Sequence, residues 1–579
     1  MKFYAVMLAV LGLLSAQAQD AAACGQINVW PRHSQVNMPT KLKQFMFVEI
    51  PNPASDGSFT LNMTLPPEMS LLGAFSGISP AVPVCPLKPE SFKQDGVKAV
   101  LNFPAGQFSS DGASGWLSLY LDVNTPVGDY PMTIEAMSAD GKLLSKGKFT
   151  VRIYPELVNR TIESMPIIAY YYTGIDDAYV DPFLEQMKAC GVNALHSMSG
   201  EWTWAGSVPG KTVADEAQKY GIEVGVIFFS SELENYAKKN IGADYTLQRL
   251  IDEPEKLTAA LKGYIEHSTA GKPHQAVIYD AEAGSVRSDH VEGDLSEYGR
   301  AKFSREVGAD HTLTAAEIFD NHRDEWMWFN CRQTKAIAEA TRAMIDEYYP
   351  GVLFYIYSGY EYDTGHDKDL SRRNYSMDWN SVADALPDYA GAGYYGSRDD
   401  LRHTNDVLDG RTTFIPADMY LENFKHEGGP APTTEQWKMR LIRTFMNSGM
   451  RGMALWYSAV MDGSALIAVS EFVRFVELVE DFALRGHLDE NAITVKPKSE
   501  VENVYVIRDS RQAKVVLLNN GDRPKTISLT LNDFKIKGYT SDIQITDLVT
   551  GEKMAAAKTL RLTVAPMSYR VIQILDDGN

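Results

Sequence analysis

The rhythm of apolar and polar positions changes twice along the chain. From about 25 to 155, short runs such as KQFMFVEI, SFTLNMTL, GWLSLYLDV and GKFTVRIY are rich in β-branched and aromatic residues. Clusters of Gly, Pro, Asn, Asp and Ser separate them, a spacing that predicts a β-sandwich. After a linker at Pro155 to Pro166, strand-like runs alternate with helix-like ones. Eight strand candidates begin near Met165, Val192, Ile222, Gln275, Val352, Tyr389, Thr412 and Gly452. Segments such as DPFLEQMKAC and FNCRQTKAIAEATRAMIDEYY lie between them with apolar residues at helical spacing. Eight such units predict an α/β domain over 160–487, a (β/α)8 TIM barrel. A doubly wound open sheet would bring a glycine-rich phosphate loop after its first strand, and YYYTGIDDAY is not one. From 490 to 579 the pattern is β again, in NVYVIRD, AKVVLLNNG, KTISLTL and SYRVIQIL, which predicts a second, C-terminal β-sandwich.

One stretch of the barrel stands out: QAVIYDAEAG, from Gln275 to Gly284. Ala276, Val277, Ile278 and Tyr279 form an unalternating run, as expected of a parallel strand buried on both faces. Asp280 and Glu282 follow at its C-terminal end, the end of a barrel strand that carries chemistry. Two acids have no packing reason to be there. The connection after them, Ala283 to Met327, is long for a compact domain and predicts a functional wall or extra helices.

The first residues read as a secretory signal, 1–18: Lys2, the apolar segment Ala5 to Leu14, and an Ala16-Gln17-Ala18 cleavage site. The expected location is secreted or periplasmic. Cys24 after three alanines offers a weaker alternative, a lipid anchor at the outer membrane. No other stretch approaches the roughly 20 apolar residues of a membrane span. Of four cysteines, Cys24 and Cys85 fall in one predicted domain and could pair, whereas Cys190 and Cys331 read as buried free thiols. No pair of Cys or His has metal-ligand spacing, so no metal and no cofactor is expected. A net charge of −20 argues against nucleic acid or anionic membrane as a partner. It also disfavours heavily sulfated substrates, unless a local basic pocket receives them. The sequence leaves the oligomeric state open.

Acids and aromatics recur after the barrel strands. Strand one is followed by Tyr172, strand two by His196, Trp202 and Trp204, and strand three by Glu232 and Glu234. Strand five is followed by Glu361, strand six by Tyr394 and Tyr395, strand seven by Asp418 and Glu422, and strand eight by Trp456. Aromatic faces stack on sugar rings, and paired carboxylates cleave acetals. On a strand, residues i and i+2 share a face, so Asp280 and Glu282 sit together and repulsion raises the pKa of one. Glu282 is then the expected proton donor, with Asp280 orienting a neighbouring group. Each has a plainer reading: a salt bridge at the strand end for Glu282, a loop hydrogen bond for Asp280, a barrel plug for Trp456. Trp202 could pack under the N-terminal sandwich, and Glu361 could be a solvated loop acid.

The Asp280-x-Glu282 ending resembles the strand-four motif of chitinase-type and related N-acetylhexosaminide-cleaving barrels. That resemblance implies Glu282 as acid and Asp280 as the residue positioning the substrate's own acetamido nucleophile. It is similar also in Trp456 after strand eight and in Tyr394 or Tyr395 after strand six. The upstream acids of that motif are replaced here by Ala276 and Ile278. A second resemblance, to retaining barrel glycosidases, pairs Glu282 as acid/base with Glu422 as nucleophile. There the usual Asn before the strand-four Glu is replaced by Ala281. Both imply a glycan substrate, and from their places after the barrel strands Trp456, Tyr394, Tyr395, Asp418, Glu361, Trp202 and Tyr172 are expected to line it. A non-catalytic carbohydrate-binding protein is the reading outside catalysis.

Overall fold

The computed structural model describes residues 25–576 apart from 30–33, 52–57, 77–84, 87–91, 104–113, 159, 161, 163, 172–176, 199–212, 270, 272–274, 362–366, 368, 394–396, 409, 419–431, 457–460, 510–511 and 533–542. Between Gly25 and Tyr154, two sheets of seven and five strands face each other. The strand Leu143–Tyr154 shows why. Its side chains alternate between buried and exposed over most of its length, so one face joins the core with Leu61, Leu101, Leu119 and Ile134. Sheets of six and three strands form a second such unit between His487 and Asp576, around Val515, Leu517, Leu529 and Ile574.

Between them lies a closed parallel barrel. Its strands are β1 (Ile167–Tyr171), β2 (Ala194–Met198), β3 (Glu223–Phe229), β4 (Ala276–Asp280), β5 (Leu353–Gly359), β6 (Tyr389–Gly393), β7 (Thr413–Asp418) and β8 (Met453–Leu455). Each falls on one of the eight strand segments predicted from the sequence. β4 is buried at all five positions, with Val277, Tyr279 and Ala281 packed outward on the helices and Ala276 and Ile278 turned into the barrel. The inward set continues with Ile168 and Tyr170, Ala194, Ile227, Tyr355 and Tyr357, Ile415 and Ala417, and Ala454 and Trp456. Side chains therefore fill the barrel, as in other closed eight-stranded parallel sheets. Gly225 on β3 leaves room for this layer. A Cβ there would lie 2.5 Å from Ile278 Cδ1 and 2.9 Å from His196 Cδ2.

The helix Gly463–Arg485 joins the three units. Its first two turns are apolar nearly all round, and beyond them Glu471, Arg474, Glu477, Asp481 and Arg485 line one outer face while most of the rest is buried. Its Leu466, Phe472, Phe475 and Val476 belong to one core with Phe45 and Phe47 of the first sandwich and Val516, Tyr569 and Val571 of the last. Asp462 caps it, accepting from the Ala465 amide at 3.0 Å. The long connection after β4 contains two helices, Glu297–Glu306 and Ala315–Asn321. Its small core of Phe303, Leu313, Ile318 and Trp326 packs on the start of the helix Arg323–Tyr348. Cys190 and Cys331 are buried free thiols, and burial pushes both up to about 12. Among the described residues no helix is long and apolar enough to cross a membrane. The signal segment 1–18 and Cys24 lie outside the described residues.

Candidate active site

At the C-terminal end of β4 the inward alternation delivers Asp280 to the barrel interior, with 1 % of its surface exposed. The register places it level with Phe229 of β3 and Tyr357 of β5. Neither of its carboxylate oxygens has a hydrogen-bond partner among the described residues. An ionised carboxylate is costly in such a place. Burial, then the neighbouring charge of Glu282, then that of Glu232 hold the Asp280 carboxyl well above the usual carboxylate range. The two acids face each other as the i, i+2 spacing requires. Asp280 is the more deeply buried member of the pair.

Glu282 is half-buried at the mouth. Its backbone is pinned on both sides. The Ala281 amide donates to Tyr357 O at 2.8 Å, and Ser358 Oγ donates to Ala281 O at 2.7 Å. Ser376 Oγ donates to Ala283 O at 2.6 Å, and the Ser285 amide to Arg373 O at 2.8 Å. Such a hold fixes the direction of a functional side chain. Tyr375 lies close by. A Cβ on Gly359 would meet its ring at 2.2 Å, so glycine there makes its place. Burial, Glu282 and Asp280's neighbourhood act on the tyrosines as well: Tyr375 is pushed up to about 12 by burial and then by Glu282, and Tyr170 is raised by burial, then by Asp280 and Glu282.

Aromatic rings form the floor. Trp456 stacks parallel to Tyr357 with centroids 6.3 Å apart and lies 5.4 Å from Tyr170. Tyr170 and Tyr357 are 5.3 Å apart. Below them His196 sits edge-on to Tyr170 and Tyr355. Burial lowers His196 to about 3, so the ring is neutral, and its Nδ1 has no partner among the described residues. It is a core residue of the barrel. Glu232, at the start of the helix Ser230–Asn240, accepts from Tyr264 Oη at 2.8 Å and from the Phe229 amide at 3.3 Å.

The structure thus brings Asp280, Glu282 and Trp456 together, and adds Tyr170, Tyr357 and Tyr375, which the sequence reading did not single out. Two expected substrate-binding residues are placed elsewhere. Asp418 has the outward parity on β7. Its Oδ1 accepts from Trp437 Nε1 at 3.0 Å and its Oδ2 from Arg440 Nε at 2.7 Å, so it ties the strand to the helix Thr434–Asn447. Glu361 is buried beside Arg372, whose Nη2 donates to Oε1 at 2.9 Å, with Asp378 on the same guanidinium at 2.8 Å. It is no solvated loop acid: its carboxylate is held in this ion pair. Tyr172, Trp202, Tyr394, Tyr395 and Glu422 lie outside the described residues. Among the described residues no group of three or more His, Cys, Asp and Glu is arranged to hold a metal ion.

No family model matches the chain, and no curated protein matches it. Solved structures are similar to it at low identity. A protein of Bacteroides fragilis NCTC 9343 named for α-galactosidase is 13% identical, with 96% of this chain and 98% of that one covered and a TM-score of 0.40. A GH30 endoxylanase from Clostridium papyrosolvens is 12% identical over 72% of this chain and 98% of that one, TM-score 0.38. An α-amylase from Geobacillus thermoleovorans is 11% identical over 72% of this chain and 100% of that one, TM-score 0.40.

Proposed function

We propose that the protein is a secreted glycoside hydrolase acting on a glycan or polysaccharide, with Glu282 as general acid. The observation that supports this most is the carboxyl pair at the end of β4. One member is pinned at the mouth, and the other is buried beneath it with both oxygens unsatisfied among the described residues. A buried pair holding one proton is what acetal cleavage requires. Burial of Asp280 favours its protonated form in the resting protein. A sugar bearing an acetamido group offers an N–H to the open Asp280 oxygens. A donor favours the ionised form, so the proton shifts to Glu282, the less buried partner. Glu282 then protonates the glycosidic oxygen as the bond to the anomeric carbon breaks. The acetamido oxygen closes on that carbon, and Asp280 stabilises the positive charge developing on the amide nitrogen. Water opens the ring intermediate, giving its proton back to Glu282. Trp456, stacked on Tyr357 and packed on Tyr170, forms the apolar floor under the pair.

The two-carboxylate alternative uses Glu282 with Glu422 and rests on sequence position. A panel of aryl glycosides, N-acetylhexosaminides included, separates them. Cleavage abolished by both Glu282→Gln and Asp280→Asn selects the substrate-assisted route. Cleavage of a plain hexoside that survives Asp280→Asn selects Glu422.

A further inference from the structure

On the connection that follows the carboxyl pair lies a cavity of about 520 Å3, lined by Arg287, Arg323, Arg373, His290 and Asn374, with Asp289 as the acid among them. Three arginines in one small cavity are unusual in a chain of net charge −20. Tyr375 links the cavity to the proposed cleavage site. Arg287 follows Glu282 by five residues, and Asn374 precedes Tyr375, whose hydroxyl is within the electrostatic reach of both Glu282 and Arg287. Gly284 lets the two regions approach, since a Cβ there would collide with Glu292 and stand 3.1 Å from Arg287 Nη2.

The cations differ in what they already hold. Arg287 Nε donates to Glu292 at 3.1 Å, and Arg373 pairs with Asp367. His290 bonds Asp289 at 2.7 Å and Glu292 at 3.2 Å, which favours its cationic form. Arg323 is different. Its guanidinium lies over the Phe319 ring at 4.3 Å and its Nη2 donates to Arg287 O at 3.0 Å. Among the described residues no carboxylate forms an ion pair with it. A planar guanidinium held by a ring and a carbonyl, with donors left over, is suited to a carboxylate or a sulfate. Asn374 adds a neutral side chain able to hydrogen-bond a sugar hydroxyl.

We propose that this cavity is a subsite for an anionic substituent, carboxylate or sulfate, on the sugar unit next to the one cleaved. As a subsite it rests on the glycosidase reading; as an anion site it stands on its own.

The test is calorimetric titration of the full-length Glu282→Gln protein, which separates binding from cleavage. Probes are sodium sulfate, glucuronate and galacturonate, with glucose and galactose as neutral controls, at 50 and 300 mM NaCl. At least one anion should bind more tightly than the neutral sugars and lose affinity at the higher salt. Arg323→Ala should weaken that binding about tenfold, and Arg323→Lys should restore part of it. Arg323 is exposed at the start of its helix, so neither change threatens the fold. Tighter uronate binding assigns uronic acid units, and tighter sulfate binding assigns sulfated ones. Absence of anion binding, or anion binding unchanged in Arg323→Ala, overturns the proposal. Anion binding with no glycoside cleaved by the wild type leaves the cavity as an anion site and removes the glycosidase reading instead.

Discussion

Glu361→Gln should change how stability depends on pH. The Glu361 side chain is buried. Its Oε1 accepts from Arg372, while Oε2 has no hydrogen-bond partner among the described residues. Burial outweighs the attraction of Arg372, Asp378 adds repulsion, and the carboxyl rises from 4.5 to about 7. The folded state therefore binds this proton more tightly than the unfolded state. Stability from the group is complete below pH 4.5 and is lost as pH rises through 7. The difference amounts to about 3 kcal/mol, most of it lost between pH 5 and 8. Glutamine keeps an oxygen for Arg372 and does not titrate. Urea midpoints followed by tryptophan fluorescence at pH 5, 6, 7 and 8 provide the assay. Wild type should lose about 2–3 kcal/mol relative to the variant across that range. Parallel curves, within about 1 kcal/mol, would show that the attraction of Arg372 outweighs burial and keeps Glu361 ionised throughout.

Two further changes test the barrel. Gly225→Ala places a methyl 2.5 Å from Ile278 and 2.9 Å from His196; overpacking should cost about 1–3 kcal/mol in urea unfolding, and an unchanged midpoint would mean the inner layer is loose. Arg440→Met removes a cation from the buried Asp418 carboxylate and should cost about 2–3 kcal/mol, with a loss below about 0.5 kcal/mol showing that solvent already screens the pair.

The barrel was legible because its strands are short, β-rich and buried on both faces, as in Ala276 to Asp280, and because runs with apolar residues at helical spacing lie between them. The carboxyl pair was legible from its parity alone. Tyr170 was not, since Tyr170, Tyr171 and Tyr172 read alike in any register. Pairing with His196 on β2 decides which one turns inward. On β7 both faces are apolar, so no contrast between Phe414 and Ile415 warned that Asp418 points outward. Its partner Arg440 lies on the following helix, and the partner of Glu361, Arg372, lies beyond a loop; contacts made by tertiary packing leave no local pattern. How deep each of the two neighbouring acids sits is not encoded by their spacing. The apolar helix Gly463–Arg485 reads as buried, but not as the element shared by three units.

The central claim is that Glu282 donates the proton. The most direct measurement is turnover of an aryl glycoside panel, N-acetylhexosaminides included, by wild type and Glu282→Gln side by side. Loss of a positioned general acid should lower kcat by about 10²–10⁴-fold on the substrate that wild type cleaves, with the fold intact by circular dichroism. Near-wild-type turnover by a folded Glu282→Gln protein would contradict the account.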